Sequence, residues 1–139
     1  MTSEPKGARA VQRIPAAETR ALIRAVLQKA GGPSSIHPGS LRSGSIRRVR
    51  SLPSWVGRFG FLAGPDQLWL WCEPRPSPEK TFPSQFVLGV PPGRYFIEIL
   101  DAAASTWISR ESAEGGLLVA GLPYTGNILL VMVRCIPGR

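Results

Sequence analysis

The 139 residues include a single histidine, His37, and two cysteines, Cys72 and Cys135. Two thiols are too few for the disulfide framework of a small secreted domain, and with one imidazole they leave too few soft ligands for a zinc site. His37 stands in a Ser/Pro/Gly-rich stretch with no carboxylate placed to orient it as a catalytic base, so it reads as a solvated residue. Neither Gly-x-Gly-x-x-Gly nor Gly-x-x-x-x-Gly-Lys occurs, which removes the usual signature of a nucleotide-phosphate loop. No metal, no cofactor and no catalytic residue are expected. Apolar runs are short, and none approaches the roughly 18 to 20 residues of a bilayer-spanning helix. Residues 1–30 lack the apolar region and small-residue cleavage site of a secretory signal, although Arg9, Arg13, Arg20 and Arg24 in an acid-poor stretch faintly resemble a transit peptide. The expected location is the cytoplasm.

Acidic residues are scarce at the front. Up to Arg58 the chain has 11 Lys and Arg against Glu4 and Glu18, whereas residues 59–139 carry 6 against 7 acids. The net charge of +8 therefore belongs to the first part of the chain. Such a segment is drawn to phosphates and anionic surfaces, or it serves as a solvated arm that keeps the protein soluble. Arg42, Arg47, Arg48 and Arg50 form its densest cluster and are the candidate anion-binding residues. Aromatic residues are not interleaved with them, so the stacking pattern of a single-strand nucleic-acid site is missing.

Glycine and proline fall between apolar runs and not in a repeat, which excludes a collagen-like chain and points to short strands joined by turns. Residues 1–14 read as a disordered tail. Residues 15–31 read as the one helix: Pro15 suits its first turn, Gly31-Gly32-Pro33 stops it, and Leu22, Ile23, Val26, Leu27 and Ala30 share a face. Residues 32–55 read as a basic linker in which 45–52 can be extended. Seven β-type runs follow, at 56–63, 67–73, 85–90, 94–100, 107–111, 117–120 and 127–135, with 74–83 as a proline-rich loop. Their spacing and the absence of further helices predict an all-β fold, an immunoglobulin-like antiparallel β-sandwich over residues 56–136. Alternation nominates Phe61, Leu68, Leu70, Tyr95, Ile97, Ile99, Leu117, Val119, Ile128, Leu130 and Met132 for its core.

Trp69 and Trp71 lie two apart, on one face of a strand whose other face carries Leu68, Leu70 and Cys72. Left open, the indoles form a platform for sugar rings and are the candidate carbohydrate-binding residues. Covered by another element, they are core or a docking surface, as is usual for strands apolar on both sides. Glu73 and Glu79 flank the proline-rich loop, while Glu98 and Asp101 lie on a strand and at its end; nothing in their spacing requires an acid–base pair.

The stretch Val90-Pro-Pro-Gly-Arg-Tyr-Phe-Ile-Glu-Ile-Leu-Asp101, with Trp107-Ile-Ser-Arg-Glu111, Glu114-Gly-Gly-Leu-Leu-Val119 and the closing Gly126-Asn-Ile-Leu-Leu-Val-Met-Val133, resembles a known module. It is similar to the C-terminal immunoglobulin-like accessory domain behind the catalytic barrel of bacterial glycoside hydrolases, of the type named for collagen binding in a collagenase. The opening hairpin of that module would be residues 60–71. The resemblance implies a non-catalytic binding module whose partner is a glycoside hydrolase catalytic domain or a glycan. The alternative, from the charge, is a nucleic-acid-binding protein using its basic N-terminal arm.

Overall fold

Strict alternation in residues 94–100 sets Tyr95, Ile97 and Ile99 against Phe96, Glu98 and Leu100. In the computed structural model, which describes residues 11–30, 42–43, 48–64, 67–76 and 85–136, this run is half of a much longer strand. The elements are β1 (Gln12–Arg13), α1 (Ala16–Ala30), β2 (Arg42–Ser43), β3 (Val49–Ser51), β4 (Val56–Ala63), β5 (Gln67–Pro74), β6 (Gln85–Asp101), β7 (Thr106–Gly121) and β8 (Leu129–Ile136). The architecture is all-β with one helix, and the strands form one curled mixed sheet. Its order is β1-β4-β5-β8-β6-β3, with β2 added on β4 and β7 on β6. Among the described residues only β1 runs parallel to its neighbour.

Two pairs of expected strands are continuous. Residues 85–90 and 94–100 both belong to β6, and residues 107–111 and 117–120 both belong to β7. The Pro-Pro-Gly and Gly-Gly signals mark a corner shared by the two strands, not two chain breaks. Val90 pairs with Gly116 and Arg94 with Glu114, so Pro91, Pro92 and Gly93 oppose the single residue Gly115. Proline has no ladder donor to lose where register is already broken. Gly116 has a φ of 100°, and a Cβ on Gly115 would collide with the Pro91 carbonyl oxygen. The ladder resumes beyond the bend because both strands turn at the same level.

Beyond the corner the sheet closes over its own inner face, the device by which strands change layer in orthogonally packed sheets. Phe86, Leu88 and Val90 before the bend join Ile97 and Ile99 after it, with Phe61, Leu70 and Val131, in one core. The corner also shifts the parity of β7. Leu117 and Val119, expected inside, are 55% and 49% exposed, and Leu118 and Ala120 are buried in their place. The other nominated residues are buried, apart from Ile128, which is half-buried.

The outer face carries a second cluster, Leu62, Trp69, Trp71, Leu100, Leu130 and Met132, packed with Ile14 and Ile23. Gln12–Arg13, expected in the disordered tail, pairs with β4, and the Ile14 N–H donates to the Phe59 carbonyl at 2.7 Å. The end of the expected linker is likewise part of the fold. Val49–Ser51 forms β3, and fully buried Trp55 donates its indole N–H to the Leu122 carbonyl at 3.0 Å. Other parts of the linker, including His37, and most of the proline-rich loop lie outside the described residues.

Helix α1 lies close on β4 because position 60 has no side chain. A Cβ there would overlap the Thr19 side chain, whose hydroxyl donates to the Pro15 carbonyl at 2.9 Å and is thereby satisfied inside the contact. Arg58 adds an ion pair to Glu18 in the first helical turn, at 3.1 Å between half-exposed groups, which is worth little by itself. Gly60→Ala forces helix and sheet apart and is expected to lower stability by about 1–3 kcal/mol, the range for overpacking. Urea unfolding should show this as a lower midpoint with an unchanged slope.

Candidate functional site

The corner of β6 overhangs one end of the curled sheet. At that end β5 begins and β8 finishes: Gln67 pairs with Arg134, Leu68 with Val133, and Cys135 with Tyr95 on β6. Pro91 and Pro92 project over this rim and Arg48 reaches it from just before β3, which leaves a cavity of about 290 Å³. Leu68, Val90 and Val133 give it apolar walls, while Arg48, Gln67, Tyr95 and Cys135 supply polar groups. A second, more open cavity of about 330 Å³ shares Arg48, Val90 and Pro91 and extends to Arg50, Gly89 and Gly116. Arg48, Val90 and Pro91 line both, so the two cavities adjoin as a groove along the bend of β6.

The Tyr95 hydroxyl donates to the Pro91 carbonyl at 2.9 Å and ties the corner to the rim. Burial pushes this phenol above its ordinary range, the Cys135 thiol adds to the shift, and Arg48 opposes it. The side chain is thus a neutral donor at physiological pH. Gln67 accepts the Trp69 indole N–H at 3.0 Å, leaving its amide NH₂ as the group with donors to offer. Apolar walls with an arginine and a few neutral polar groups suit a ligand that has a nonpolar body and an anionic or strongly accepting end.

Of the arginines expected to bind anions, Arg48 and Arg50 line the groove. Arg42 lies on β2 opposite Ala63, with its side chain outside the described residues, and Arg47 is wholly outside them. Trp69 and Trp71 are not a sugar platform: they are 0% and 2% exposed in the outer cluster with Ile14 and Ile23. Their indole N–H groups go to Gln67 and Glu73 two positions along the same strand face, each at 3.0 Å. The sequence left both outcomes open because it does not say what lies on that face.

The carboxylates have structural duties. Glu73 also meets Arg58 at 3.3 Å, and buried Glu98 accepts from Arg110 at 2.8 Å with Arg134 at 3.6 Å. Asp101 accepts the amides of Ala103 and Ala104, both at 3.0 Å, and caps the turn into β7. Glu98 and Asp101 stand three apart on one strand and so point to opposite faces; Glu79 lies outside the described residues. Among the described residues no three His, Cys, Asp or Glu side chains converge as a metal site would require, and no helix is long and apolar enough to cross a membrane. Sequence reasoning placed Tyr95 in the core and overlooked Gln67 as a groove residue; the available signal was Pro91-Pro92-Gly93, whose bend opens the rim.

Comparison of the chain with protein-family models, with curated proteins and with solved structures finds no match.

The two thiols are free. β5 and β8 are antiparallel neighbours in which Cys72 faces Leu129 and Gln67 faces Arg134, so Cys135 sits past the opposite end of the pair. That offset is roughly 20 Å along the strands, far beyond disulfide reach. Complete burial holds the Cys72 thiol far above its ordinary range, whereas Cys135 is half-buried at the groove. Alkylation of the native protein without reductant should therefore modify Cys135 alone, and denaturant should expose Cys72. Intact mass should show no two-proton deficit from an intrachain disulfide.

Proposed function

We propose that this chain is a non-catalytic binding module that takes a ligand bearing an anionic group in the groove at the bend of β6. The observation that carries this is Arg48, which lines both halves of the groove beside an apolar wall. A guanidinium in a partly enclosed apolar cleft selects carboxylate, sulfate or phosphate over neutral groups through paired, charge-assisted hydrogen bonds. Arg50 in the adjoining half offers a second anchor to a ligand with two anionic groups. Leu68, Val90 and Val133 receive its nonpolar face.

The resemblance of residues 56–136 to immunoglobulin-like accessory modules supports the same class of function, with a glycoside hydrolase or a glycan as partner. Because Trp69 and Trp71 are inside, glycan recognition falls to the groove, and the glycan is an acidic one. The second reading, nucleic-acid binding, is favoured by the concentration of positive charge before residue 59 and by Arg48 and Arg50 as part of it. Its mark would be an affinity that falls steeply with salt.

Calorimetric titration with an oligogalacturonide, its neutral counterpart, inorganic phosphate and a short oligonucleotide separates these readings. Binding of the acidic sugar or phosphate, weakened about tenfold or more by Arg48→Gln, is the expected result. Binding of the neutral sugar alone, or affinity unchanged in Arg48→Gln, rejects the site. Binding of the oligonucleotide alone, with a steep salt dependence, replaces the first reading by the second.

A further inference from the structure

Among the described residues β7 pairs only with β6, so its other row of backbone donors and acceptors is an open sheet edge. The strand is 16 residues long. Such edges are ordinarily blunted by shortness, charge, proline, a bulge or a covering element. β7 contains no proline; a register shift at Ile108 and the corner at Gly115–Gly116 bound its regular stretch, residues 109–114, which carries the exposed charges Arg110, Glu111 and Glu114, of both signs.

The order of these residues is self-complementary. When two copies of one strand pair antiparallel about a two-fold axis, residues equally spaced on either side of the axis face each other. With the axis at Ser112, Arg110 of each copy faces Glu114 of the other, Glu111 faces Ala113, and Ser112 faces itself. An axis at Arg110, Glu111 or Glu114 sets like charges directly opposite, and an axis at Ala113 leaves every charge facing an uncharged residue. Directly opposed residues must also project to one side of a sheet. Arg110 and Glu114 meet this requirement, being paired with Glu98 and Arg94 on the same face of β6. Arg110 is already oriented, since its Nε donates to Glu98 while the side chain stays 72% exposed. Its terminal amino groups are the donors that would meet a second carboxylate.

We propose that a second copy of this chain joins the first edge to edge along β7, antiparallel, with the two-fold axis at Ser112 and two Arg110–Glu114 ion pairs. The sheet thereby continues across the dimer.

Disulfide trapping tests both partner and register. In a Cys135→Ser background, Ser112→Cys places two thiols on the axis, where opposed Cα atoms stand roughly 4.5–5.5 Å apart, within disulfide range. Mild oxidation at micromolar protein should give linked dimers from Ser112→Cys and none from Thr106→Cys, an exposed position at the far end of the same strand. Sedimentation of the unmodified chain should show a dimer that Glu114→Arg weakens about tenfold, because that change sets arginine against arginine. Equal cross-linking at the two positions overturns the register, and a chain that sediments as a monomer overturns the dimer.

Discussion

Most of the molecule depends on the bend that β6 and β7 make together. A strand of 17 residues cannot bury one continuous face against a small flat partner, but bent at Pro91–Gly93 it contributes to both sides of a single core. The bend requires a backbone contact between Gly115 and Pro91 that no side chain permits. From it follow the parity shift that exposes Leu117 and Val119, the overhang that opens the groove, and the Tyr95 hydrogen bond that fixes the overhang to the rim. Core, site and outer surface are three results of one local geometry.

The second constraint is that the centre of the sheet is apolar on both faces. Leu68, Leu70 and Cys72 serve the inner core, while Trp69 and Trp71 serve the outer cluster, so the exposed β-sheet face common in antiparallel proteins is not available here. The helix and the residues before it resolve this demand. Gly60 lets α1 approach, Ile14 and Ile23 supply apolar surface, and β1 anchors the segment to β4. The N-terminal segment thus combines part of the chain's positive charge with a structural role.

How much of this was legible in the sequence differs by element. The helix was, because proline, glycine and a periodic stripe agreed on its limits; so was the β4–β5 hairpin, where alternation and turn chemistry coincide. The strand content was legible, but connectivity was not: Pro-Pro-Gly and Gly-Gly carry the same local chemistry whether they end a strand or bend it, and only the partner strand decides. β3 was only partly visible: residues 45–52 read as extended, but three residues in a Ser/Arg-rich stretch are too short a pattern to show which strand they join. For the site, the arginine cluster was visible and its geometry was not. Arg48 and Arg50 are set apart from other basic residues by what lies beside them, namely Tyr95, Val90 and Pro91, all distant in the chain.

The sheet order has a consequence for synthesis. β8 lies between β5 and β6, yet it is made after both. Until it emerges, the nascent chain holds two apolar half-sheets, β4–β5 and β6–β7, each with an open edge and neither with a complete core. Local hairpins can form early, but their union must wait for a contact of long sequence separation, which makes folding slow for a chain of this size. β8 therefore acts as a keystone, and the interval before it is placed is when apolar surface and unpaired strand edges are most exposed.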